Sequence, residues 1–455
     1  MGLISHTPRV AFCVLVFFCV VLLFTANWIY FNGVGGYISP VVEPADDAQT
    51  PSPGVPSVFA FDAAQDTLRL TEAEQQRVAQ LQARVVSFNR NGSHLVCPER
   101  YIFAHFRHAG RHHNQLQMMM NIIMWAERLN RTAVFGSFYV KNKFVHYHLL
   151  YDFSEIERHY CVISLINMRR RLLSRGLLHR STVSCFDFHN CATFRQVVSV
   201  SRGMRSVRTT KVTSVNEMYP TAEVLRSRII PLLTNADDTL IILGAGTSFT
   251  MRRGLAENAA IYGLLRPSVW VAQKVKQFLN HSFGPRGRFF AVHKRHLEMT
   301  CNDYVTRSLS HLRTHFGVAL IREREQVIRA QCNISIPYLA TLHTSLGLRL
   351  FSYPLFLAHD RQDPYTVPQL KKRGARVYEK EHYAQYEDCA YGLCALAVDY
   401  FVMTEAEYFG GNAVSSVSNN VCFARLGRGK ACHGTEPALI RMLSHDVLAP
   451  YPLPG

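Results

Sequence analysis

The chain has 455 residues, 48% of them hydrophobic, which excludes a disordered chain and gives enough length for two domains with real cores. Its formal charge of +17 favours acidic partners, among them nucleic acid, a membrane surface and phosphorylated small molecules. The N-terminus argues against the first of these.

Residues 10–26 carry no charge, Arg9 precedes them, and Asn27-Trp-Ile-Tyr30 follows. This pattern predicts a signal-anchor helix over residues 10–31, with residues 1–9 as a short cytoplasmic tail and the rest of the chain lumenal. The small-residue pattern that a cleaved signal peptide needs is poor near Thr25-Ala26. Two of the twelve cysteines, Cys13 and Cys19, fall in the anchor. The remaining cysteines are Cys97, Cys161, Cys185, Cys191, Cys301, Cys332, Cys389, Cys394, Cys422 and Cys432, an even set that suggests disulfides in a secretory compartment. Their pairing is not readable from spacing. Cys389 and Cys394 also have the separation of half a zinc site, but no second close pair completes one. Sequons at Asn91, Asn130, Asn280 and Asn333 fit a lumenal location.

A stem is expected over residues 32–95, where Pro40, Pro44, Pro51, Pro53 and Pro56 interrupt any periodicity. Within it, residues 70–86 have helical spacing, and that helix either packs on the folded region or extends the stem. Two α/β modules follow, over residues 96–280 and 281–455. In the first, a strand over 100–106 leads through a glycine-containing loop into a helix over 116–129. A strand, loop and helix in this order open a Rossmann-like unit whose helix N-terminus faces an anion. Arg111 and Asn114 are the donors best placed there; otherwise Asn114 is an N-cap and Arg111 a surface charge. His112 and His113 are adjacent and do not make a metal site. Strands are expected over 132–138 and 238–243, the latter ending at Gly244-Ala-Gly246, with a helix over 267–278. The arginine-rich stretches 168–180 and 202–211 read as solvated faces, or as a basic rim that attracts an anionic donor or an acidic acceptor.

The second module opens with a strand over 289–296, in which alternation puts His293 and Arg295 on one side at the C-terminal end. Ligands of open α/β sheets bind at such ends, and an arginine there can neutralise a diphosphate leaving group. A strand over 355–359 ends near Asp360, a helix spans 367–373, and a strand spans 375–378. Residues 395–418 form the densest motif: an apolar helix bearing Asp399, a short strand over 407–409, a turn at Gly410-Gly411, then Asn412, Ser415, Ser416 and Ser418. Glycines and exposed N–H and hydroxyl donors in this order can hold a phosphate; the plain alternative is a turn and an N-capped helix without a ligand.

Assembled in order, these motifs resemble the GDP-fucose protein O-fucosyltransferase family over residues 97–430. The resemblance rests on Gly110-Arg-His-His-Asn-Gln, Leu243-Gly-Ala-Gly, Ala291-Val-His-Lys-Arg, Ala358-His-Asp, Asp399 and Ala406-Glu-Tyr-Phe-Gly-Gly-Asn-Ala-Val-Ser-Ser. It implies an α/β fold of two Rossmann-like domains facing a cleft, a GT-B-type glycosyltransferase that transfers fucose with inversion from GDP-fucose to Ser or Thr hydroxyls. The implied acceptors are proteins with disulfide-bonded repeats of the EGF-like or thrombospondin type. By the same resemblance Arg111 and Asn114 contact the sugar nucleotide, and His293 and Arg295 hold the diphosphate, with Arg295 as the catalytic group. Asp399 recognises guanine, while Ser415, Ser416 and Val417 line the phosphates. Neither a metal nor a cofactor is implied. Asp303 and Glu298 are possible general bases, but read better as solvated charges. Departures from the family pattern, among them His112-His113 and Gly410, bear on acceptor choice. The expected location is the Golgi or endoplasmic reticulum membrane, and nucleic acid is not expected as a partner. Two other readings remain: transfer of fucose to a glycan, and a catalytically silent GDP-sugar or glycoprotein binding module.

Overall fold

A computed structural model of the chain describes residues 67–88, 95–106, 112–140, 143–187, 190–205, 207–211, 222–244, 254–285, 287–295, 306, 330, 334–359, 365–378, 392–412, 415–434, 437 and 440–441. The expected anchor, the stem up to residue 66, Arg111, Glu298, Asp303 and Asp360 lie outside them. Among the described residues no helix is long and apolar enough to cross a membrane.

Two parallel sheets form the frame. The first comprises β2 (Tyr101–Ala104), β3 (Thr132–Phe135), β4 (Val162–Ser164), β5 (Val183–Asp187), β6 (Val207–Lys211) and β7 (Leu240–Leu243), in the spatial order β6-β5-β7-β2-β3-β4. The second contains β8 (Phe290–Lys294), β9 (Leu355–His359), β10 (Tyr408–Gly411), β11 (Cys432–His433) and the earlier β1 (Thr67–Leu68), in the order β1-β11-β10-β8-β9. All of these pairs are parallel except β1 with β11.

The inner strands read as continuous apolar runs because both faces of each sheet are covered there, whereas the edge strand β6 is polar and has no buried residue. Alternate residues make this concrete. In β2, Tyr101 and Phe103 enter one apolar cluster while Ile102 and Ala104 enter another. In β8, Phe290 and Val292 face a third cluster, whereas Ala291 joins the one shared with β2. That shared cluster fills a helical layer between the sheets. Its helices are α2 (His112–Arg128), α5 (Leu255–Leu264), α6 (Val269–Phe283), α9 (Leu393–Glu405) and α10 (Ser416–Leu426). The sequence expected α2 to start at Leu116. It starts at His112, so Asn114 is a first-turn residue and not the N-cap.

The folded body begins earlier than a stem to residue 95 implies. Thr71 caps α1 (Glu72–Gln82) in a reciprocal box, its hydroxyl accepting from the Glu74 N–H at 3.2 Å while Glu74 accepts from the Thr71 N–H at 2.8 Å. Val78 and Leu81 are buried, and Gln82 donates to the Ala260 carbonyl at 3.1 Å. These contacts belong to a helix packed on the body.

Two buried arginines staple the N-terminal edges of the sheets. Arg131 donates to the carbonyls of Tyr101, Asp238 and Ala236 in the first. In the second, Arg425 is 0% exposed and donates to the carbonyls of Ala431, Met403, Thr404, Ala406 and Glu407. Burial lowers the Arg425 pKa to about 9, so the guanidinium stays charged at neutral pH while satisfying chain ends that no water reaches.

Disulfides join Cys97 to Cys161, Cys185 to Cys191 and Cys422 to Cys432. The first closes 64 residues, a loop whose constraint on the unfolded chain contributes about 4 kcal/mol in the chain-entropy model. Cys394 is also disulfide-bonded, which removes it from a zinc pair with Cys389, a residue outside the described set.

Candidate active site

Chain order in the second sheet reverses direction at β8, because β9 lies on one side of it and β10 and β11 on the other. The crevice at the C-terminal ends around such a switch point is where open α/β sheets take ligands. Here those ends carry His293 and Arg295 from β8, His359 from β9 and Asn412 after β10.

The short strand expected over 407–409 runs on through both glycines. Gly410 and Gly411 do not turn the chain; they pair with Val292 and His293 as the last residues of β10. Their value is close approach. A Cβ on Gly411 would lie 2.6 Å from Ser418 Oγ and 2.9 Å from the Phe409 ring. Its absence lets the first turn of α10 close onto the strand end. Ser418 Oγ then accepts the Asn412 N–H at 3.1 Å and lies 2.9 Å from His293 Nδ1.

Side-chain alternation holds along β8. His293 faces α10 and is 5% exposed, while Lys294 faces the other way and donates to the Ile334 carbonyl at 2.8 Å. Arg295 is half-buried just past the strand. Burial first, then the positive field of Arg295 and of His359, lowers the His293 pKa to about 3. His293 is therefore neutral at physiological pH.

Ser415 holds the N-cap position of α10 but its hydroxyl does not cap the helix. The group is buried and, among the described residues, has no hydrogen-bond partner. Ser416 is half-buried and Val417 is buried at 6% exposure, both in the first turn. The first-turn N–H groups of any helix lack intrahelical acceptors and carry the positive end of its dipole. Asp399 sits half-buried in the middle of α9, beside Tyr400.

The first turn of α2 closes the site from the other side. Asn420 Nδ2 lies 3.1 Å from the His113 carbonyl and 3.3 Å from His113 Nδ1. A carbonyl oxygen only accepts, so the Asn420 atom facing it is the amide nitrogen. Its second hydrogen then meets an unprotonated Nδ1, and His113 carries its proton on Nε2. The Asn420 oxygen accepts from the Tyr262 hydroxyl at 2.9 Å, which fixes the amide. Burial, then His112, His293 and Arg295, holds the His113 pKa well below the usual imidazole value. Those same interactions place His113 next to the β8 end. His112 stacks on Tyr151 with ring centroids 5.5 Å apart; burial lowers its pKa to about 3. Neither nitrogen of His112, nor Nε2 of His113, finds a partner among the described residues.

The structure thus gathers His293, Arg295, Ser415 and Ser416 at one strand-end crevice. Asn114 lies in the turn of α2 that also bears His113. Sequence reasoning gave no role to His113, Asn420 or His359, and named Asn412 and Ser418 only within the motif whose donors can hold a phosphate.

A second polar cluster sits at the C-terminal edge of the first sheet. His105 Nε2 lies 2.9 Å from Asp187 Oδ2, with both side chains at most 2% exposed. Gly244, just past the end of β7, approaches so closely that a Cβ would lie 2.1 Å from Asp187 Oδ1. His105, Cys185 and Cys191 are the only trio of potential metal ligands in reach of one another among the described residues, and both sulfurs are spent in a disulfide.

No protein-family model matches the chain, and no curated protein matches its sequence. Solved structures do. Crystal structures of POFUT1 without ligand and in complex with GDP-fucose each superpose with a TM-score of 0.50 at 16% identity, covering 74% of this chain and 97–98% of theirs. A POFUT1 complex with GDP gives 0.51 at 15% identity over 74% of this chain and 98% of the other. The fucosyltransferase NodZ from Bradyrhizobium superposes at only 0.35 with 13% identity, over 71% of this chain and 92% of that one, and bears no weight here. The chain therefore shares the mixed α/β, parallel-sheet fold of the POFUT1 structures.

Proposed function

We propose that this protein is a GDP-fucose-dependent fucosyltransferase, a peptide-O-fucosyltransferase that transfers fucose with inversion to Ser or Thr hydroxyls. The observation that carries the reading is the β8–α10 crevice. A half-buried arginine, a neutral histidine held by Ser418 and an uncapped helix N-terminus converge there, in a fold shared with structures crystallised with GDP-fucose and with GDP. The two sheets with their helices act as two Rossmann-like domains of the GT-B type, over residues 96–280 and 281–455, with the donor between them.

In this reading the acceptor hydroxyl oxygen attacks C1 of fucose from the face opposite GDP, and its proton passes to the departing diphosphate or to water. The bond from C1 to the β-phosphate oxygen breaks, and negative charge grows on the departing diphosphate. Arg295 is the catalytic group that meets this charge, a contribution of about 3 kcal/mol by comparison with single oxyanion donors. His293, Ser415, Ser416 and Val417 cradle the phosphates. Arg111 and Asn114 reach the sugar nucleotide from the α2 side, and Asp399 accepts from the guanine. No step needs a metal or cofactor.

The natural acceptors are proteins with disulfide-bonded repeats, EGF-like or thrombospondin-type. The protein works as a type II membrane protein of the Golgi or endoplasmic reticulum with residues 32–455 in the lumen, a location that its disulfides support. The test offers labelled GDP-fucose to the full-length chain with a folded EGF-like repeat, a folded thrombospondin-type repeat and a galactose-terminated glycan in parallel. Label on a repeat, lost when its Ser or Thr is removed, supports the reading. Label on the glycan alone reassigns the acceptor class. GDP binding without any transfer points to a silent binding module.

A further inference from the structure

The two arginine-rich stretches meet on the outer edge of the first sheet. Arg169, in α3 (Leu165–Ser174), donates to the carbonyls of Val200 and Arg202 at 3.4 and 2.5 Å. The Arg205 N–H donates to the Ser181 carbonyl at 3.1 Å. Between α4 (Arg195–Ser201) and the start of β6 a cavity of about 590 Å³ opens to the surface. Arg195, Arg202 and Arg205 line it, and all three are exposed. Val198, Met204 and Val207 supply an apolar floor, with Val198 51% exposed.

Three other arginines on this half are neutralised. Arg171 and Arg175 close on Glu99, and Arg208 pairs with Asp238. Among the described residues the three cavity arginines form no ion pair. Three like charges without a described counter-ion around one concavity focus a positive field into it. Its volume is that of a pocket for a few side chains.

We propose that this groove docks an acidic segment of a partner polypeptide, carboxylates on the arginines and one apolar side chain on Val198 and Met204. The apolar floor decides the class of partner: a polysulfated glycan meets the charges but has nothing to bury there. Bidentate guanidinium–carboxylate pairing supplies orientation, and the anchor side chain supplies the desolvated centre that binding surfaces require. The groove lies on the first sheet, whereas the strand-end crevice lies on the second, so docking does not depend on the donor reading.

The test measures binding of a fluorescent peptide, glutamates flanking a single leucine, to the full-length chain by anisotropy. R202E is expected to weaken binding about tenfold, and the R195E/R202E/R205E triple variant further, with thermal unfolding unchanged. V198S, or a peptide with serine for leucine, is expected to weaken it severalfold. K276E, an exposed reversal on α6, leaves it unchanged. Undiminished binding by the triple variant overturns the proposal. So does equal binding of the leucine-free peptide, or a sulfated oligosaccharide that binds more tightly than the peptide and loses affinity in the same variants.

Discussion

Each sheet ends at its switch-point strand in a buried histidine 2.9 Å from a polar partner, and the two partners differ. His105 meets a carboxylate, Asp187; His293 meets a hydroxyl, Ser418. The carboxylate engages His105 Nε2, while Nδ1 finds no partner among the described residues. A hydroxyl brings no charge, and the buried His293 imidazole stays neutral within the positive field of Arg295. An anion site needs the second arrangement. The first holds strand ends together in a dry setting, where removing one member of a paired set is costly. On the proposed function the same residue type at equivalent edges does opposite work, and the partner decides which.

The sharpest way to break this comparison is Arg295→Ala. It is expected to lower fucosyl transfer about 100-fold or more while GDP still binds, measured by label transfer and calorimetry. Unchanged turnover removes Arg295 from the chemistry and with it the contrast. Asp187→Asn comes next: a loss of about 3 kcal/mol in unfolding free energy, with transfer per folded molecule unchanged. A fall in turnover without loss of stability would put the first cluster in the reaction and erase the distinction. Gly411→Ala pushes a methyl group against Ser418, at a cost of about 1–3 kcal/mol, and weakens GDP binding because the α10 turn moves off the strand end.

The smallest effect comes from His112→Phe. The phenyl ring keeps the stack on Tyr151 and removes two buried nitrogens that have no partner among the described residues, so stability is expected to rise by about 1 kcal/mol at pH 7. The pH dependence has a definite sign. With a folded pKa of about 3, the unfolded imidazole binds the extra proton between that value and the ordinary one near 6.5. His112 thus costs stability as pH falls through this window. The gain from Phe should be larger at pH 5 than at pH 7, and equal gains in thermal unfolding at both would show that His112 does not titrate as a buried group.

Much of the second sheet was legible because its strands are unbroken apolar runs. Residues 355–359 appear as expected, and 290–294 fall within the expected 289–296. The Gly410-Gly411 pair misled because two glycines in a row signal a turn, while the requirement they meet is room for a side chain entering from a helix seven residues on. The expected strand at 375–378 is reduced to one bridge between Phe356 and Arg376. What no local pattern announces is pairing at a distance. His105 and Asp187 are separated by 82 positions, and His113 and Asn420 by 307. Their identities are ordinary, and only the crossing of two modules gives them meaning. Arg425 was invisible for a related reason: a single cation in an apolar helix looks like a surface residue until the carbonyls around it are known.

The pairing of β1 with β11 also orders events in time. Thr67 meets His433 across 366 positions, its hydroxyl 3.0 Å from the imidazole. As the chain emerges from the ribosome, the first strand of the body is made long before the strand it joins. All six strands of the first sheet lie between them in sequence, so that sheet can form while Thr67 and Leu68 wait. The second sheet gains its last edge only when the chain has returned to its own beginning. A long wait with an unpaired edge exposes nascent chains to wrong partners. Two residues are a short edge to leave open, and the helix just after them, stabilised by its own capping box, already holds its shape.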